Sequence, residues 1–419
     1  MKATAPWIGG QRGLWLVLAL ALVLCTLETG LRLGASSPDT RYTLPRFSLG
    51  YFWDTPLGWT GVIDGVPVNR DSVQFASLAS FLHGQASPVP PEDNVYVRFA
   101  GYSLVGSTLA PVVGTYASFV LLNVVLWAAG ALATFVLAAR HVGSRSVAVA
   151  AAVLVSTAPA FAALAGQALP YVASYALFVL GLLLFDQVRL FEPETGLRTA
   201  ALAGLAVGTS LLFYDLYMLP AFVVVYGLLR RVPLRTLALV LVAMAVPRLL
   251  WSGYWQAAQL PSYSHNEQHP MEALLAWFDT ARVGAGFSLI KGYALLAAHG
   301  LLNIGAVFMF WPLAFAAWEF FWHRRRTPQA SWFVAVAVAG FVPALFMLST
   351  WPHLPRWYGY GFPAIYILAA AAALRLGPRL GVALVLVPSI VLANLDLLGY
   401  TKLMELLLFQ PTNWSYLWS

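Results

Sequence analysis

The feature that most limits what this chain can become is a succession of apolar runs, each long enough to cross a bilayer. A hydrocarbon core about 30 Å thick takes roughly 20 helical residues. Runs of that kind begin near Ala117, Ser146, Pro170, Thr199, Leu216, Leu234, Leu301, Ser331, Gly359 and Leu380. An earlier run at 13–31 follows Lys2 and Arg12. It exceeds the apolar stretch of a signal peptide, about 7 to 15 residues, and no small-residue cleavage pattern follows it, so an uncleaved helix is expected. That makes eleven spans. Composition points the same way: 60% of the 419 residues are hydrophobic and 10% charged, against about 25% charged in soluble domains. A water-solvated core cannot hide so much apolar surface. The chain reads as an all-α polytopic membrane bundle of about eleven transmembrane helices, and an ordinary soluble enzyme is excluded.

Charge sets the expected orientation, because short cytoplasmic loops collect lysine and arginine. With the N-terminus inside, the short connectors hold Lys2, Arg12, Arg140, Arg145, Arg189, Arg198, Arg230, Arg231, Arg235, Arg324, Arg325, Arg326, Arg375 and Arg379. Only four acids, Asp186, Glu192, Glu194 and Glu319, join them. An odd number of spans puts the tail at 400–419 outside. The expected layout is one integral membrane domain over 1–419, with a first helix at 13–31 and a first extracytoplasmic loop with interfacial helices at 32–116. Helices then fill 117–250, a second large outside loop 251–300, and further helices 301–399. The expected location is the plasma (inner) membrane. Between 199 and 230 two helices are expected, turning near Tyr214 and Asp215; a single long helix would put Arg324 to Arg326 outside. Gly204 and Gly208 have the spacing that lets helices approach closely. The net charge of +7 is scattered between apolar runs rather than gathered on one face, which excludes nucleic acid as a partner. Cys25 is the single cysteine, so there is no disulfide framework or cysteine-based metal site.

The two outside loops are too long to be mere connectors. In the first, Asp71 opens a stretch with apolar residues at 75, 78, 79 and 82, the stripe of an amphipathic helix lying on the membrane surface. Asp71 has two readings there, a helix cap or a carboxylate held at the membrane face. Further on, a proline-rich stretch delivers the adjacent acids Glu92 and Asp93, whose plain reading is a solvated turn. In the second loop His265 and His269 lack the acid that a zinc-protease helix requires. Charges near membrane depth are candidates for function. They are Arg248, Asp215, Lys291 and Arg356, the last wedged among prolines and aromatics, each with an alternative as a snorkelling interfacial side chain.

Three features together resemble the GT-C superfamily of membrane glycosyltransferases. They are the acid heading an amphipathic helix in the first outside loop, the re-entry Arg98-Phe99-x-x-Tyr102-Ser103-Leu104, and the late Arg356-Trp357-Tyr358 with Pro363 beyond it. The resemblance implies transfer of a sugar from a polyprenyl-phosphate carrier to a glycan, lipid or protein acceptor at the extracytoplasmic face. By it Asp71 would be the catalytic base, with Asp54 and Asp64 as rival positions. Arg356 would meet the carrier phosphate, with Arg248 and Lys291 as secondary phosphate partners. Tyr102, Trp357, Tyr358 and Asp215 would contact substrate, although an aromatic belt also explains the rings. The second acidic motif of such families appears only as adjacent Glu92 and Asp93. No cofactor is required, and a divalent metal, if used, would fall to that pair. Large soluble outer domains are missing, which argues against an oligosaccharyltransferase.

The chemistry suits those roles. A carboxylate that takes the acceptor's proton contributes about 10²- to 10⁴-fold, and fixed positive charge steadies the leaving phosphate, for which arginine offers a planar fork. Two other classes stay open on sequence alone: a lipid-linked saccharide transporter or flippase, and a non-catalytic scaffold of the same fold. A surface-polysaccharide polymerase or ligase would have more basic outside loops.

Overall fold

The structure, a computed structural model, describes residues 11–35, 61–63, 66–68, 70–85, 89, 94, 97–192, 195–214, 216–260, 304, 308, 310–347 and 359–394. The first helix, α1 (Gln11–Ala35), covers the first apolar run. Next comes a two-stranded antiparallel hairpin, β1 (Gly61–Ile63) and β2 (Val66–Val68), with Ile63 opposite Val66. Apart from this small hairpin the described residues form helices and turns, in keeping with the expected all-α bundle. Strands of three residues are too short for their alternation to register in a sequence, yet the Asp-Gly step between them is a favoured two-residue hairpin turn. The hairpin leads into the amphipathic helix α2 (Arg70–Leu82). Two short helices follow, α3 (Ala100–Gly106) and α4 (Ala110–Val113).

The bundle proper starts with α5 (Thr115–Val142), which stops at Gly143 in the left-handed conformation that glycine adopts without strain. Ser144 then caps α6 (Arg145–Ser156), its side chain accepting a hydrogen bond from the Val147 backbone N–H. After the short α7 (Pro159–Ala165) come α8 (Tyr171–Gln187) and α9 (Leu197–Gly208), the latter extended by a tight turn at Thr209–Leu212. Then follow α10 (Met218–Leu229) and α11 (Leu234–Ala257). The expected pair of helices around residue 214 is therefore present as two helices. The last group is α12 (Trp311–Glu319), α13 (Ala330–Met347), α14 (Phe362–Arg375) and α15 (Pro378–Ala393). Each of the eleven expected runs has a helix in it. Among the described residues three helices, at Arg12–Leu31, Thr115–Val142 and Leu234–Ala257, are long and apolar enough to cross a bilayer alone. Others are shorter than the roughly 20 residues expected, and they pack among these longer neighbours.

The packing is that of a polytopic helical membrane protein. Helix α14 is apolar on every side and buried from Phe362 to Ala373, as a helix at the centre of a bundle must be. Around it lie α6, α12 and α13, with α5 and α8 completing the interior. The outer helices reverse the pattern. Leu16, Val23 and Leu27 on α1, and Val242, Leu249 and Leu250 on α11, point outward, a surface suited to acyl chains. Helices α9 and α11 meet at Gly204 and Gly208 as their spacing suggests: a Cβ at Gly204 would lie 2.6 Å from the Val240 carbonyl oxygen, and one at Gly208 would overlap that of Met244. The two ends of the bundle differ. One carries ion pairs, Arg140 with Asp186 at 2.6 Å and a Glu319 carboxylate between Arg324 (3.0 Å) and Arg375 (2.8 Å). The opposite end carries the hairpin, α2, α3 and the turn after α9.

Candidate functional site

Helix α2 is fixed at this second end by polar ties to its buried face. The Ser103 hydroxyl donates to the Phe75 carbonyl at 3.0 Å, and the Asn94 amide donates to the Gln74 carbonyl at 2.7 Å. At its far end Phe81 meets Trp255 of α11, ring centroids 5.9 Å apart. Because α2 begins at Arg70, Asp71 sits within its first turn, where a carboxylate is favoured by the helix dipole. Its backbone is described and its side chain is not.

Arg248 is placed in detail. Pro247, inside α11, lacks the N–H that would bond the carbonyl four residues back, and Arg248 follows directly. Its next two neighbours, Leu249 (65% exposed) and Leu250 (68% exposed), face outward, while Arg248 is half-buried and turned inward. The guanidinium carbon lies 5.2 Å from the Phe99 ring centroid, and Nη1 donates to the Leu211 carbonyl at 3.4 Å. Snorkelling along the outer surface does not describe this residue. One turn later the Trp251 indole N–H donates to the Val97 carbonyl at 3.1 Å, so α11 grips the Val97–Phe99 turn at two points. Phe99 in turn contacts Tyr214 (5.1 Å), and Tyr214 meets Tyr171 of α8 edge-on (5.4 Å).

The path continues along α8 to the segment just before α14. The Ser174 and Tyr360 hydroxyls share a hydrogen bond of 2.7 Å. Gly359 lies so close to Tyr175 that a Cβ there would fall 2.5 Å from its ring, so glycine is required for this approach. Residues 359–361 are thus pinned between α8 and α13, three positions after Arg356.

Tyr102 does not offer a face to a ligand. It is 0% exposed, stacked on Phe119 (4.9 Å) with Phe75 edge-on (5.2 Å), and its hydroxyl reaches the Asn123 side-chain oxygen at 3.4 Å. Burial pushes its pKa up, so the phenol stays protonated as a donor. Asn123 spends its amide on the Gln167 and Leu169 carbonyls, at 2.8 and 3.0 Å. The sequence motif around Tyr102 therefore marks a packed wall of this end. Asp54, Asp64, Glu92, Asp93, Asp215, Lys291, Arg356, Trp357 and Tyr358 lie outside the described residues. Among the described residues there is no cluster of three metal-ligating side chains.

A further acid belongs to the first helix. Glu28, within the first apolar run, is only 8% exposed, and Asn394 at the end of α15 donates to its Oε1 at 3.2 Å. A carboxylate inside a 20-residue apolar run is itself a signal, and it escapes notice when the run is read by average hydropathy.

No protein-family model and no curated protein matches the chain. Among solved structures it is similar to the crystal structure of ArnT from Cupriavidus metallidurans bound to undecaprenyl phosphate, with a TM-score of 0.55 at 18% identity. The chain shares the fold of that structure. The match covers 88% of this chain and 62% of ArnT, so the chain spans rather less than two thirds of that protein. Within this shared fold, the end described here carries the first loop with its amphipathic helix. The charged pairs Arg140–Asp186 and Arg375–Glu319 occupy the other.

Proposed function

We propose that this chain is a membrane glycosyltransferase that moves a sugar from a polyprenyl-phosphate carrier to an acceptor hydroxyl at the extracytoplasmic face. Fold alone does not decide function. The observation that carries the reading is the gathering, at one end of a GT-C fold, of Asp71's helix, an inward-turned Arg248 and the pinned segment that follows Arg356. Chain connectivity keeps the Arg356 Cα within about 14 Å of that of Tyr360, so the anchoring of Tyr360 limits where Arg356 can reach. The solved relative supports the donor class, since ArnT holds undecaprenyl phosphate.

In the proposed step the acceptor oxygen attacks the anomeric carbon as the Asp71 carboxylate takes its proton. The bond from that carbon to the phosphate oxygen breaks with both electrons going to oxygen, and polyprenyl phosphate leaves. One displacement inverts the anomeric centre. Arg356 and Arg248 offset the charge growing on the phosphate, an effect that is strong where water is scarce. Lys291 joins them as a further cation, and Trp357, Tyr358 and Asp215 contact the sugar. The direct test supplies purified full-length chain with a panel of polyprenyl-phosphate sugars and measures release of polyprenyl phosphate. Turnover with at least one donor is expected. Carrier binding with no turnover of any donor would contradict the enzyme reading and favour a transporter or a scaffold.

A further inference from the structure

A cavity lies at the end of the bundle away from the candidate site. It opens between the last turn of α8, the residues just after it, the end of α10 and the start of α13, and holds about 70 Å³. That is room for a phosphate group rather than for a drug-sized ligand, whose pockets run to about 300–1,000 Å³. Its apolar wall includes Phe191 and Phe222, and its polar lining includes Arg189, Tyr226 and Arg230. The Tyr226 ring is held in place by stacking on Phe222 (5.3 Å) and by Phe191 edge-on (4.7 Å). Its hydroxyl and the Arg230 guanidinium have no hydrogen-bond or ion-pair partner among the described residues.

Two acids share the lining, and both are engaged. Asp186 is paired with Arg140 at 2.6 Å, and Glu192 with Arg189 at 3.8 Å. Among the described residues Arg230 is therefore left without an ion-pair partner at the cavity, with exposed Arg231 and Arg235 close behind it in the chain. The setting is interfacial: Arg230 ends α10 directly after Leu228 and Leu229, both exposed apolar residues. A soluble anion would have no use for this apolar surround, whereas a lipid needs a charged contact beside an apolar one. An arginine without an ion-pair partner beside apolar surface between membrane helices is suited to an anionic headgroup.

We propose that this cavity binds the phosphate of an anionic membrane phospholipid. The Arg230 fork and the Tyr226 hydroxyl donate to phosphate oxygens, and Phe191 and Phe222 meet the glycerol and first methylenes. From Leu234 to Arg248 helix α11 climbs about 21 Å, so this lipid is distinct from the carrier proposed at the other end.

The test uses delipidated full-length chain titrated with phosphatidylglycerol or phosphatidylcholine in mixed micelles, with bound lipid read by native mass spectrometry. Phosphatidylglycerol is expected to bind about tenfold tighter, the worth of one charge-assisted contact. Arg230→Gln combined with Tyr226→Phe should abolish the preference while leaving the fold intact, because Arg230 is exposed and the phenyl ring keeps its packing. Arg235→Gln removes the same charge outside the cavity and should retain the preference. Equal binding of the two lipids overturns the site, and so does equal loss in Arg235→Gln. Displacement of phosphatidylglycerol by millimolar inorganic phosphate overturns the lipid assignment in favour of a soluble anion.

Discussion

The hydroxyls of Ser174 and Tyr360 lie 2.7 Å apart, joining the middle helix α8 to a residue four positions after Arg356. Both side chains are buried, and the Ser174 hydroxyl is also within 2.7 Å of the Tyr171 carbonyl. Tyr360→Phe removes the link and keeps the ring packed against Tyr175 and Phe178. A loss of about 1 kcal/mol in stability is expected, together with weaker carrier binding because the segment behind Arg356 is less well held. Thermal unfolding in detergent and carrier titration of the same sample check both. Unchanged carrier affinity would separate Tyr360 from the site.

Arg248 is expected to act through charge. Arg248→Gln should weaken polyprenyl-phosphate binding by roughly 10- to 100-fold, the range of one charge-assisted hydrogen bond, and Arg248→Lys should restore part of it. The Phe99 contact alone is worth about 0.5–2 kcal/mol, so a stability loss larger than that would point to a structural role instead. Titration calorimetry with polyprenyl phosphate alone reads the difference without any sugar.

The contact between α9 and α11 rests on Gly208, which has no room for a Cβ beside Met244. Gly208→Ala is expected to cost about 1–3 kcal/mol as an overpacked contact. Gly30, inside α1 with nothing within 4 Å of its missing Cβ, is the control: Gly30→Ala should be neutral or stabilise by up to about 1 kcal/mol. Denaturant unfolding of the two variants in the same detergent decides whether close approach, and not glycine content, matters.

At the basic end the Glu319 carboxylate is 0% exposed between Arg324 and Arg375. Burial works against its charged form, but the two guanidinium groups hold it ionised. Glu319→Gln strands both partners and is expected to cost about 2–3 kcal/mol, somewhat less than for a fully buried pair because Arg375 is partly exposed. Arg324→Gln should cost less, since Arg375 keeps two hydrogen bonds to the carboxylate. A smaller effect from Glu319→Gln than from Arg324→Gln would contradict this account of the triad.

What the sequence made legible follows from how local each signal is. The helices within the eleven apolar runs could be read because the length of an apolar run is a property of consecutive residues. The turn after α9 could be read because polar residues interrupt an apolar stretch near 214. The hairpin could not, since three residues of alternation are too few, although its Asp-Gly step is a local cue. Arg248 was legible as a costly charge, but its inward direction depends on Phe99 and Leu211, which are far away in the chain. Tyr102 shows the converse: an aromatic in a suggestive motif is a core residue once Phe75 and Phe119 close over it. The pairing of Arg140 with Asp186 across 46 residues likewise becomes visible only when α5 and α8 pack side by side.

The most direct measurement of the central claim compares the chain with its Asp71→Asn variant, each supplied with the same radiolabelled polyprenyl-phosphate sugar. Turnover by the variant is expected to fall at least about 100-fold, with its unfolding temperature and carrier affinity unchanged. Turnover that survives the substitution would contradict Asp71 as the base.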